Sequence, residues 1–80
     1  MTKSYDFYEV AERIGRQLVA DGLGEWKTRI DDAIAAGSTG TEILMALRWT
    51  FGQLQESSTV SEDVKSQISE FNQRLADLGI

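Results

Sequence analysis

Along most of the 80-residue chain, apolar residues recur at spacings of three and four with polar residues between them, and proline is absent. That period puts the apolar side chains on one face of an α-helix, so the pattern predicts helices from end to end. Phe7, Val10, Ala11, Ile14 and Leu18 form the first stripe, with Glu9 facing Arg13 and Glu12 facing Arg16 at i,i+4 on the outer side. Asp21-Gly22 stops this helix, which covers about residues 5–21. Trp26, Ile30, Ala33 and Ile34 predict a second helix over 25–36, ended by Gly37. Ile43, Leu44, Leu47, Phe51 and Leu54 predict a third over 40–56. Val64, Ile68, Phe71, Leu75 and Leu78, in a 4-3-4-3 spacing, predict a fourth over 62–78.

The connections are short, which favours antiparallel neighbours. Glu56-Ser57-Ser58-Thr59-Val60-Ser61 reads as a polar link, with Ser61 capping the fourth helix and Glu62 and Asp63 suited to the positive end of its dipole. The expected architecture is an all-α, compact four-helix array forming one domain over 1–80, its second helix too short to run the full bundle and therefore oblique. Gly15, in the middle of the first helix, marks a close helix crossing. Tyr5 and Tyr8 brace that helix against the core with their hydroxyls in water.

The third helix is apolar on two sides. Opposite its main stripe, Met45, Trp49 and Gly52 fall together at i, i+4 and i+7. Two explanations stand: the helix is central and packed all round, or these residues form a contact surface for a partner or a second copy. Just upstream, Gly37-Ser38-Thr39-Gly40-Thr41 also has two explanations. As helix punctuation, Gly37 caps the second helix, Thr39 caps the third, and Glu42 completes a capping box. As a binding site, the exposed amides of Ser38, Thr39, Gly40 and Thr41 would take an anion. The run is no phosphate loop, because no Gly-Lys-Ser/Thr follows and no strand precedes it.

Charge narrows the partners. Eight basic and thirteen acidic residues give a net charge of −5, which disfavours nucleic acid and favours a basic protein. Asp21, Glu25, Asp31 and Asp32 are the candidate acidic patch. With no cysteine and no histidine, the chain has no disulfide, no thiolate metal site and no histidine-based nucleophile or general base. Its carboxylates form no convincing catalytic pair, so we expect neither enzyme nor cofactor nor metal. Met1 to Asp6 lacks the apolar core of a signal peptide, and no stretch approaches the roughly 20 apolar residues that span a bilayer. A cytoplasmic protein is the expectation.

Two resemblances bear on this. An acidic helical chain with Ser38 opening a helix and Ile43-Leu44-Met45-Ala46-Leu47 following is similar to acyl carrier proteins, a likeness that implies phosphopantetheine on Ser38. The Asp-Ser-Leu motif and the long first loop of that family are both missing. The run GSTGTEILMALRWTF, with GLGEWKTRIDDAI ahead of it, resembles the shared centre of a group of small bacterial all-helical proteins, over about residues 18 to 55. That likeness implies a self-contained cytoplasmic protein and brings no activity. The leading expectation is a non-enzymatic protein-interaction module, such as an immunity or antitoxin-like inhibitor of a basic partner. The alternatives are a small-ligand or acyl carrier using residues 38–42, and a self-associating structural protein whose Met45 and Trp49 meet their symmetry mates.

Overall fold

The computed structural model describes residues 5–80, so the N-terminal reading of Met1 to Ser4 lies outside the described residues. It has four helices and, among those residues, no strand: α1 (Phe7–Ala20), α2 (Gly24–Ala36), α3 (Gly40–Gln55) and α4 (Glu62–Asp77). The all-α four-helix array therefore holds. Each helix packs on its sequence neighbours, and α1 closes the ring against α4. No described helix is long and apolar enough to cross a membrane.

One core draws on all four helices. α1 contributes Val10, Ala11, Ile14 and Leu18, α3 contributes Leu47, Phe51 and Leu54, and α4 contributes Val64, Ile68, Phe71 and Leu75. Each fully buried large side chain contributes about 1.5–3 kcal/mol relative to exposure, so these stripes dominate the energetics. α2 differs, because Ile30 is its single fully buried residue while Trp26, Ala33 and Ile34 pack at the edge. At 13 residues it is one shorter than α1, so shortness gives no reason for the oblique crossing we expected.

The helix ends follow capping chemistry. Asp6 starts α1, its Oδ1 accepting the amides of Tyr8 and Glu9, both at 3.1 Å; the helix thus begins two residues later than the stripe predicts. Ser61 Oγ accepts the Val64 amide at 3.3 Å, as predicted. Val60, in the link read as polar, is buried in the core.

The ends of α1 and α4 use one device twice. Gly22 and Gly79 take φ of +81° and +80°. The next amide then reaches back over the last turn: Leu23 N–H to Leu18 C=O at 2.8 Å, and Ile80 N–H to Leu75 C=O at 3.0 Å. Leu23 and Ile80 are thereby folded onto the core. This corrects the fourth stripe, because Leu78 sits at the cap, 62% exposed, and Ile80 takes the core position instead.

Gly15 is buried at the α1–α2 crossing, where a Cβ would lie 3.4 Å from Lys27 Cγ and 3.9 Å from Ile30 Cδ1. The close crossing predicted from the sequence is present, with the Lys27 stem laid across it. Both predicted ion pairs on α1 form, Glu9–Arg13 at 3.6 Å and Glu12–Arg16 at 3.8 Å. Tyr5 departs from expectation: its ring packs edge-on to Phe7 with centroids 4.8 Å apart, and its hydroxyl is enclosed instead of standing in water. Burial, reinforced by the Glu70 carboxylate, pushes that hydroxyl's pKa up against the opposing pull of Arg74 and Arg13. Tyr8 remains exposed.

Candidate functional site

α3 lies between α2 and α4, with its core stripe turned inward. Of the two explanations for its second apolar side, all-round packing fails: Met45 is 57% and Trp49 68% exposed. Gly52 is exposed too, with no atom within 4 Å of where a Cβ would stand. These residues share a face because 45, 49 and 52 return to one side at 3.6 residues per turn.

Trp49 stands between two open depressions. On one side, Met45, Arg48, Gly52, Gln53 and Glu56 join it around a space of about 500 Å³. On the other, toward α2, Arg29, Asp32, Ala33, Ala46, Thr50 and Gln53 join it around about 430 Å³. Thr50 is buried here, its hydroxyl donating to the Ala46 carbonyl at 3.0 Å. Arg48 is held at the rim by donating to the Ile80 carbonyl at 2.8 Å. Arg29 lies 4.7 Å from the centre of the Trp26 ring, a cation–π contact. The charges around the face are therefore mixed, two guanidiniums against the carboxylates of Asp32 and Glu56.

The run before α3 is punctuation of an unexpected form. Thr39 caps the helix as predicted, its Oγ1 accepting the Glu42 amide at 3.2 Å. The Glu42 carboxylate does not return to the Thr39 amide, as a capping box requires. It accepts instead from the Ser38 hydroxyl at 3.0 Å and the Ser38 amide at 3.4 Å, one residue further out. An anion at Ser38, Thr39, Gly40 and Thr41 would meet that carboxylate already in place. Gly37 does close α2, but its φ of −77° and ψ of 140° are not left-handed. It is glycine because the chain doubles back: a Cβ would collide with Ile43 Cγ1 and lie 3.0 Å from the Ile43 amide nitrogen.

The acidic residues lie at the end of α1 and along α2. Asp21 caps α1 and Glu25 lies in the first turn of α2. Asp31 is paired with Lys27 at 2.8 Å, and Asp32 points about 100° away from it around the helix. Among the described residues no three carboxylates gather closely enough to hold a metal ion.

A polar cleft between α1 and α4 was not legible in the sequence. Tyr5, Asp6, Glu9, Arg13, Glu70 and Arg74 border about 330 Å³, with Arg74 at 4.3 Å from the Tyr5 ring centre. Glu9 engages Arg13, and Glu70 engages Arg74 at 3.2 Å, so an incoming anion would compete with both carboxylates. The single available signal was the pair of Glu-to-Arg i,i+4 spacings.

Two glycines test the geometry by mutation. Gly52→Ala places a methyl group in open space on a helix and is expected to raise stability by about 0.5–1 kcal/mol. Gly15→Ala meets the flexible Lys27 stem at 3.4 Å and Ile30 Cδ1 at an ordinary contact distance of 3.9 Å, and is expected to be neutral or stabilising by up to about 1 kcal/mol. Urea titration measures both, and a loss above about 1 kcal/mol at either site would contradict the packing described.

Comparison with protein-family models, with curated proteins and with solved structures returned no match for this chain.

Proposed function

We propose that this protein is a non-enzymatic interaction module that docks through the exposed apolar face of α3. The observation that carries the reading is the exposure of Trp49 and Met45 on the outward side of a helix whose other side fills the core. Trp49, Met45 and Gly52 lie together around one depression, and adjoining exposed apolar residues of this kind mark contact sites. Tryptophan and methionine are among the residues enriched in protein contacts.

Away from this mixed-charge face, the net charge of −5 supports a basic protein as a heterologous partner, and with it an inhibitor of the immunity or antitoxin kind. The carrier reading has less support, because a prosthetic group on Ser38 would have to displace its hydrogen bond to Glu42. Trp49→Asp tests the docking reading. The side chain is already exposed, so stability should change by no more than about 0.5 kcal/mol, while capture of a stoichiometric protein from lysate should be lost. Undiminished capture of that protein by Trp49→Asp, at low and moderate salt, would remove this face from the proposal.

A further inference from the structure

We infer that the occupant of this face is a second copy of the same chain, the two α3 helices lying antiparallel about a two-fold axis beside Gly52. The inference rests on the docking reading above and names its partner.

Charge carries it first. Arg48 and Glu56 line the same depression, with Gly52 midway between them in sequence. They stand about 12 Å apart along the helix. A two-fold axis at Gly52 reverses that order, so Arg48 of each copy comes level with Glu56 of the other, and the pairing is made twice. A strongly basic partner would instead meet Arg48 and Arg29 at this face, so the net charge of the chain does not select such a partner here.

Shape agrees with charge. The open space over Gly52 lets two helix backbones approach closely at the axis. Each Trp49, about one turn earlier, then lies along the backbone of the opposite copy. The strip from Met45 to Glu56 spans only about 16 Å, so the contact is small and belongs to the weak, transient class.

Sedimentation velocity from about 5 to about 500 µM at about 0.15 M salt, where the charge of each copy is screened beyond about 8 Å, is the test. Wild type should pass from monomer to dimer across that range. Gly52→Leu should leave a monomer throughout. Arg48→Glu and Glu56→Arg should each weaken association about tenfold or more, and the double swap R48E/E56R should recover most of the loss. Arg48→Glu also removes the bond to the Ile80 carbonyl, so thermal melts accompany each variant. If that variant melts early, Glu56→Arg and Gly52→Leu decide the matter. A wild-type monomer at every concentration, or a dimer indifferent to Gly52→Leu and Glu56→Arg, overturns the inference. A monomer that still captures another protein in a Trp49-dependent manner would overturn the second copy and leave the docking face standing. A monomer without such capture would overturn both.

Discussion

Phe71→Ala is expected to remove about 3–5 kcal/mol of folding stability, enough to leave the chain largely unfolded in mild urea. The residue is fully buried and sits between two other rings, 5.2 Å from Phe7 and 4.9 Å from Phe51, both edge-to-face. It therefore joins α4 to α3 and to the first turn of α1 at once. Truncation removes the transfer energy of the ring, leaves a cavity, and breaks two aromatic contacts worth about 0.5–1.5 kcal/mol each. A domain of this length typically holds only about 4–12 kcal/mol in total, so the loss is comparable with the whole. Urea melts followed by circular dichroism give the value, and Phe71→Leu, which keeps most of the volume, should recover part of it. A loss below about 1 kcal/mol for Phe71→Ala would mean that the three rings do not pack as described.

Gly37→Ala is the second large effect, an expected loss of about 1–3 kcal/mol although the backbone there suits alanine. The cost is steric. The new methyl group would meet not only the Ile43 side chain but its backbone, with the amide nitrogen at 3.0 Å and Cα at 3.2 Å. A side chain can rotate away; a helix backbone in its first turn can move only by shifting the α2–α3 connection. Against Gly52→Ala the sign is opposite, so the two variants melted side by side separate crowding from helix propensity. In a domain this small each kcal/mol is about 4–8 °C in Tm, and an unchanged or raised Tm for Gly37→Ala would refute the close approach.

How much of this was legible in the sequence depends on what each feature reports. The stripes through Ile14, Leu47, Phe51, Ile68 and Phe71 were readable because burial imposes a 3.6-residue period over several turns. Thr39 and Ser61 were readable because a cap is a local event within three residues. Leu78 was misread for the same reason that the others were read correctly: period alone carries the stripe to Leu78, one residue past the end of the helix and just before the turn at Gly79. The folding back of Ile80 needs the left-handed glycine, and the same signal at Gly22 was read only as a stop. Gly37 was assigned to its cap correctly but for a conformational reason, whereas the true reason is a neighbour six residues on. The shift of Glu42 from Thr39 to Ser38 is a choice between adjacent donors that spacing does not separate. For the face of α3, period showed that Met45 and Trp49 oppose the core stripe, and only tertiary packing showed that no helix covers them.

The uncapped start of α2 has a kinetic meaning. α2 packs on both α1 and α3, but it has Ile30 as its single fully buried residue and no side-chain cap at Leu23, so its ends open more readily than its middle. Local openings of this kind cost a fraction of global unfolding and recur far more often. Because Arg29, Asp32 and Ala33 of α2 form one wall of the depression beside Trp49, its breathing widens and narrows the ground on which that ring rests. A ligand or copy seated on α3 would damp that breathing, so occupancy of the face would register in the amide exchange of a helix that touches the occupant only at its margin.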